Sequence, residues 1–219
     1  MSVKKYKIEN CERNEIKQFI ETWHYSKSVN GVMSDFCFKL MDGEKIIGGM
    51  MYGKMAMANA WKKYGKTPDD VIELRRLCCI DDTPKNTESY FIGGTLKWLL
   101  KNTEIKTVVS YADPEYGHEG IIYKASNFQL IGKTAKGKVI IHNGKKYHDK
   151  AIRTKYKGEL KPFALRLKKA LEDGEAFYKK TEGKNIYTYD IDKRRKTHKK
   201  ARGVGGRWEM GKLVKREVV

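Results

Sequence analysis

Four stretches of this chain concentrate side chains able to donate a proton, accept one or hold charge. They are Trp23-His24-Tyr25-Ser26, Glu73-Leu74-Arg75-Arg76-Leu77, Asn86-Thr87-Glu88-Ser89-Tyr90-Phe91, and Ser110-Tyr111-Ala112-Asp113 running on to Gly117-His118-Glu119-Gly120-Ile121-Ile122-Tyr123. Each falls where a regular element is expected to end, and catalytic groups of open α/β sheets collect outside strand ends. Histidine titrates near neutrality, so His24 suits proton transfer; it equally suits the C-terminal dipole of the helix it closes. Tyr25 offers a proton, a stacking face or simple packing. Arg75 and Arg76 are neighbours in an expected strand, so alternation sends them to opposite faces. Glu73 then shares the face of Arg75 and leaves Arg76 as the freer cation, poised for an anion. The other reading has both arginines exposed at a sheet edge.

Asn86 to Ser89 precede the strongest helical signal in the chain. Thr87, Glu88 and Ser89 can cap that helix, whose first-turn N–H groups and dipole attract anions such as phosphate. Gly93 and Gly94 would let a donor approach the helix backbone closely. Neither G-x-G-x-x-G nor a P-loop is present, which excludes a dinucleotide fingerprint and a Walker motif. Asp113 closes an expected buried strand before Pro114, where a carboxylate can cap a turn, bind a metal or act as a general base. Tyr123 opens the next helix, and His118 lies in the glycine-flanked loop between them. His24, Asp113 and His118 are the candidate metal ligands, without any H-E-x-x-H spacing to support them. No G-x-S-x-G occurs, which removes a serine elbow.

The elements that must position these groups can be read from periodicity. Ile16, Phe19, Ile20 and Trp23 recur on one helical face over 16–23. Phe36 to Met41 and Lys45 to Met51 read as a hairpin around Asp42-Gly43. Val71 to Ile80 is an expected strand, Glu88 to Lys101 an amphipathic helix and Thr107 to Tyr111 a β-branched strand. A short helix over 120–126 and a strand over 128–134 follow. Such alternation predicts an α/β (α+β) fold, a mixed central sheet flanked by helices. Beyond it, Val139 to Lys146 and Tyr147 to Lys155 suggest a hairpin around Asn143-Gly144, and Phe163 to Leu171 a short helix.

The 219 residues carry 46 Lys and Arg against 27 Asp and Glu, a net charge of +19. That excess points to a polyanionic partner, most simply nucleic acid. Residues 180–219 hold 13 basic against 5 acidic residues, a net +8, so less than half of the excess lies there. Lys193, Arg194, Arg195, Lys196, Lys199, Lys200 and Arg202 form its densest run and are the expected DNA-contacting group. The expected organisation is a catalytic domain over 1–160 and a basic C-terminal extension over 161–219. Cys11, Cys37, Cys78 and Cys79 lack C-x-x-C spacing and are read as reduced. No membrane helix or signal-type segment is evident, so the expected location is cytoplasmic.

Taken together, HYS at 24–26, ELRRL at 73–77, the P-x-N-x-E-S-x-F run from Pro84 to Phe91, and SYAD…GHEGIIYKASNF from Ser110 to Phe128 resemble the Mom-type DNA-modification proteins of bacteriophages, which have a GNAT-like (N-acetyltransferase-type) fold. The resemblance covers residues 20–135 and leaves 136–219 unmatched. It implies attachment of a carbamoylmethyl group to N6 of adenine in duplex DNA, which protects phage DNA from host restriction enzymes; the location is then the host cytoplasm. By position it implies functional roles for His24, Tyr25, Arg76, Ser89, Asp113 and Tyr123, and an iron requirement. Arg76, Ser89, Gly93 and Gly94 would hold the donor.

The usual pyrophosphate-binding Q/R-x-x-G-x-G/A of acetyltransferases is replaced here by Ser-Tyr-Phe-Ile-Gly-Gly at 89–94. The donor is therefore either an acyl-CoA or an activated glycine such as glycyl-tRNA, which would make tRNA a second partner. A different reading is a GNAT-type N-acyltransferase using acyl-CoA on a protein or small amine, since fold alone does not settle function. Another is a DNA-binding protein without catalysis.

Overall fold

The computed structural model describes residues 2–194, Thr197 and the backbone of 208–209 and 212–213. Arg195, Lys196, Lys199, Lys200 and Arg202 of the expected DNA-contacting run lie outside the described residues. The chain opens with β1 (Lys7–Cys11), α1 (Arg13–Trp23) and the hairpin β2 (Phe36–Asp42) and β3 (Lys45–Gly53). Then come β4 (Val71–Cys79), α2 (Thr87–Asn102), β5 (Thr107–Ala112), α3 (Ile121–Ala125) and β6 (Gln129–Lys133). The remainder holds β7 (Gly137–His142), β8 (Lys145–His148), the two-residue strands β9 (Lys155–Tyr156) and β10 (Glu159–Leu160), α4 (Pro162–Glu172), β11 (Ala176–Thr181) and β12 (Asn185–Asp190).

Seven strands form one sheet in the order β1-β2-β3-β4-β5-β12-β6. β1 to β4 pair antiparallel in succession, and β4 pairs β5 in parallel after the α2 crossover. This is the mixed, helix-flanked sheet that the strand–helix alternation predicts. On one face Ile16 and Ile20 of α1 pack with Val29, Val32, Cys37 and Met51. The spacing of four that marked the helix in the sequence puts both isoleucines toward the sheet. On the other face α2 buries Phe91, Ile92, Leu96 and Leu99. There the buried Tyr52 hydroxyl meets the Thr95 hydroxyl at 2.8 Å, and Phe38 stands edge-on to Tyr52 and Trp98. All four cysteines are free. Among the described residues no helix is long and apolar enough to cross a membrane.

The chain gathers into two compact units. The first comprises residues 1–111, 120–131 and 187–219, and the second residues 112–119 and 132–186. The boundary expected at residue 160 therefore falls inside the second unit. The reason is a long-range ladder that local patterning does not reveal: β11 pairs along the whole of β7, from Ala176↔His142 to Thr181↔Gly137. In this unit Ile140 is fully buried against Leu167 and Ala170 of α4 and Ala176 of β11.

One turn and one strand end differ from expectation in detail. Asp42 pairs with Lys45, so the β2–β3 turn is Gly43-Glu44, with Gly43 at φ 61. The β7–β8 turn is Asn143-Gly144 as expected, both at positive φ, but β8 stops at His148 and residues 149–153 wind into a 3-10 helix.

Candidate active site

The parallel β4/β5 ladder runs from Val71↔Thr107 to Leu74↔Ser110, while β4 itself continues to Cys79. The site is built around this point, outside the carboxyl end of a parallel pair, where open α/β sheets bind ligands. A bulge shapes it. In the β3/β4 ladder Met51 pairs with Arg76 but Tyr52 pairs with Leu74, which leaves Arg75 as the extra residue. Directly paired residues share a face, so Arg76 lies on the α1 face with Met51. Glu73, opposite Gly53, lies on that face too. Strict alternation would put Arg76 on the face away from Glu73; the extra residue reverses that expectation.

Arg75 keeps the expected pairing, with its Nε 3.9 Å from Glu73 Oε1, and its Nη1 donates to the Lys54 carbonyl at 3.0 Å. Arg76 donates through Nε to the Ser28 carbonyl at 3.3 Å and through Nη1 to the Arg75 carbonyl at 2.7 Å. Half-burial of this guanidinium lowers its pKa, opposed by Tyr25, which favours the cation; Arg75 lowers it and Glu73 raises it. Glu73 is buried and its Oε2 accepts the Ala56 N–H at 2.9 Å, which ties the loop after β3 to the bulge.

His24 is the C-cap of α1, its N–H bonded to the Ile20 carbonyl at 2.9 Å. Its ring is buried, and Nδ1 accepts the Ser26 N–H at 3.1 Å and lies 2.8 Å from the Ser26 hydroxyl. A backbone N–H can only donate, so Nδ1 carries no proton in this arrangement and the ring proton sits on Nε2. The Tyr25 ring lies on it, centroids 4.3 Å apart, and is 44% exposed.

Tyr123 enters from α3. Gly120, the N-cap of that helix, sits at φ 80, and a Cβ there would fall 2.2 Å from the Tyr187 ring. This close approach fixes Tyr123 among Phe128 and Tyr187, at centroid distances of 5.6 and 5.3 Å. Burial pushes the Tyr123 phenol up to about 12, and its hydrogen bond to Ser110 opposes the shift. Tyr25 and Glu73 also act on it electrostatically. Tyr25, Glu73, Arg76 and Tyr123 therefore form one interacting group, with His24 against Tyr25. Ser26, Ser28 and Ser110 support it; Ser26 and Ser110 stood in the expected stretches without a role of their own, and Ser28, which acts through its carbonyl, had no signal in the sequence.

The remaining candidates have the following contacts. Ser89 turns its hydroxyl back onto the Asn86 carbonyl at 3.0 Å, and Thr87 onto the Pro84 carbonyl at 2.6 Å. The N-cap is Asn86, at φ 72, without a side-chain cap. Gly94 faces β1, where a Cβ would meet Ile8 Cδ1 at 2.1 Å, so it is a packing glycine and not an opening for a donor. Gly93 has open space beside it. In the second unit Asp113 is buried, 3.2 Å from Lys184 Nζ, and its Oδ1 accepts the Glu115 N–H at 3.2 Å. His118 donates its N–H to the Asp113 carbonyl at 3.2 Å.

Among the described residues no three His, Cys, Asp or Glu side chains are gathered so as to hold a metal ion, so the expected iron and its ligands His24, Asp113 and His118 have no support there. His24 Nδ1 and the Asp113 carboxylate are instead engaged by Ser26 and Lys184. Of the described basic run, the Lys193 N–H caps on Asp190 Oδ1 and Arg194 bonds the Tyr189 hydroxyl.

The chain is 31% identical over 133 residues to a protein of Escherichia phage Mu described as methylcarbamoylase mom, a match covering 59% of this chain and 54% of that protein. It thus spans about half the length of this relative. Among solved structures it is similar to a Bacillus subtilis acetyltransferase in complex with CoA, at 12% identity over 84% of this chain and 98% of that one, TM-score 0.49. It is also similar to a spermidine/spermine N-acetyltransferase of Vibrio cholerae, at 9% identity over 89% and 98%, TM-score 0.49. The Mom protein family matches residues 5–203, nearly the whole length, and the chain belongs to that family.

Proposed function

We propose that this chain is a transferase converting adenine in double-stranded DNA to N6-carbamoylmethyladenine, which shields phage DNA from host restriction. The family match over residues 5–203 carries this reading. The group of His24, Tyr25, Arg76 and Tyr123 supports it, because it combines a cation, two phenols and an imidazole at the end of a parallel strand pair. Adenine N6 is engaged in base pairing, so the base is flipped out before it reacts. The exposed Tyr25 ring stacks on it. Arg76 and Ser89 hold the donor's phosphate or carbonyl oxygen as charge develops there. Asp113 accepts the proton that leaves the exocyclic amine. Ser89 and the first turn of α2 contribute an anion-binding end for the donor.

The donor in this proposal is an activated glycine such as glycyl-tRNA. Acyl transfer forms the bond from N6 to the glycyl carbonyl and releases the tRNA hydroxyl. The free amine then attacks C6 through a five-membered ring, N6 departs as the amide nitrogen, and the carbamoylmethyl product results. No oxidant or reductant is consumed. Nucleoside mass spectrometry on DNA from bacteria expressing the protein tests the reaction, beside an Asp113→Ala control. A deoxyadenosine heavier by C2H3NO, absent in the control, is the expected result. Unmodified DNA from well-folded protein would overturn it in favour of an acyl-CoA-dependent N-acyltransferase. Nitrogen-labelled glycine should label the modified adenine; unlabelled product would instead select another donor, acyl-CoA first.

A further inference from the structure

The positive charge of this protein is unevenly spread. Residues 1–131 hold 19 Lys and Arg against 17 Asp and Glu, a net +2. Residues 132–186 hold 16 against 6, a net +10 in 55 positions, and the acidic Asp113, Glu115 and Glu119 bring the second unit as a whole to +7, equal to the +7 of residues 187–219. The folded part built from β7, β8, β11 and α4 thus carries as much positive excess as the C-terminal run.

Within it the charge has a structural focus. α4 covers the sheet only around Ile140 and Ala176. Past Ala176 every residue of β11 through Lys180 is exposed, with Phe177 at 59% and Tyr178 at 44%. Lys179 and Lys180 follow these two rings, and Lys138 of β7 is exposed beside them. Lys138 pairs directly with Lys180 across the ladder, and its Nζ sits 4.3 Å from the centre of the Tyr178 ring. Like charges directly opposite on neighbouring strands destabilise a sheet, and Glu115 and Glu182 line one cavity with Lys179 and Lys180. Basic side chains interleaved with exposed aromatic rings match a phosphate backbone and its sugars and bases. Charge complementarity thus favours a polyanion over a protein or membrane partner.

We infer that the exposed β11 edge of this sheet, with Lys138, Tyr178 and Lys180 on one face of the ladder and Phe177 and Lys179 on the other, grips duplex DNA. The inference rests on the reading that duplex DNA is the substrate. The grip is through phosphates and so carries little sequence preference.

The test uses the full chain and a fluorescently labelled DNA duplex, with anisotropy measured across a salt series. A variant carrying Lys138→Gln, Lys179→Gln and Lys180→Gln is compared with one carrying Lys17→Gln, Lys97→Gln and Lys101→Gln, which has the same net charge. The sheet variant should bind about tenfold or more weakly, with its log K against log salt slope reduced by roughly two to three, while the control changes little. Equal losses in both would assign binding to overall charge and overturn the proposal, as would no loss in either. Loss of binding to a labelled tRNA with duplex binding intact would overturn it in favour of RNA. If the triple variant fails to fold, Lys180→Gln alone relieves the opposed pair and should retain the fold and lower the slope by about one. Duplex binding through this surface without modified adenine in cells would sink the proposed reaction and leave the surface standing.

Discussion

Glu73 and Arg76 stand three residues apart on β4 and yet share one face of the sheet, because Arg75 is the extra residue of a bulge against Met51 and Tyr52. The bulge gives the α1 face a carboxylate and a guanidinium beside Tyr25, and gives Arg75 to the Lys54 carbonyl. Bulges gather at places where a strand must re-aim a side chain. The site depends on this one.

Arg76→Lys keeps a positive charge but loses the planar fork that reaches two carbonyls at once. DNA modification should fall by about 10²- to 10³-fold, the usual cost of one preorganised donor. The melting temperature should change little. Wild-type levels of modified deoxyadenosine in cells expressing this variant would remove Arg76 from the machinery.

Two glycines should respond in opposite ways. Gly120→Ala meets a positive φ and the Tyr187 ring together, and should cost about 3 kcal/mol or more or abolish folding. Gly93→Ala points into open space within α2 and should stabilise the fold by about 0.5–1 kcal/mol. If a donor approaches the helix at Gly93, that stabilised variant will lose modification; chemical denaturation and nucleoside analysis on the same protein separate the effects.

The alkaline limb of stability should depend on Tyr123. Its folded-state pKa, raised by burial to about 12, exceeds the ordinary phenol value of about 10. The unfolded chain ionises first, so the contribution is complete below about pH 10 and is lost as pH rises toward 12. Tyr123→Phe should flatten melting temperature against pH in that window. An unchanged slope would mean that the phenol is not held neutral by the fold.

Asp70 should govern the acid limb. The Lys106 ammonium at 2.8 Å holds its carboxyl down at about 2 despite its burial, helped by the Thr67 and Lys66 N–H groups at 3.0 and 2.9 Å. The unfolded chain takes up its proton near pH 4, so this stability is full above pH 4 and lost as pH falls toward 2. Asp70→Asn should remove that part of the acid dependence. A melting profile identical to wild type between pH 4 and 2 would refute the assignment.

The elements around the site were legible in the sequence because their signals are local. Ile16 and Ile20 at helical spacing, the β-branched run at Thr107–Tyr111 and the Asn143-Gly144 turn each specify backbone geometry within a few residues. His24, Tyr25 and Tyr123 were also recognisable, since their types and places at element ends limit what they can do. Tertiary structure decided the rest. The face of Arg76 follows from which residue of β4 meets Met51, a register set by two strands together. The packing role of Gly94 depends on Ile8 of β1, and the extent of the second unit on pairing between β7 and β11. His24 and Asp113 were compatible with a metal by residue type, yet Ser26 and Lys184 engage them instead. Side-chain type and periodicity act over one turn or one strand, whereas register, ion-pair partners and the surface on which charge collects arise from contacts between segments far apart in the chain.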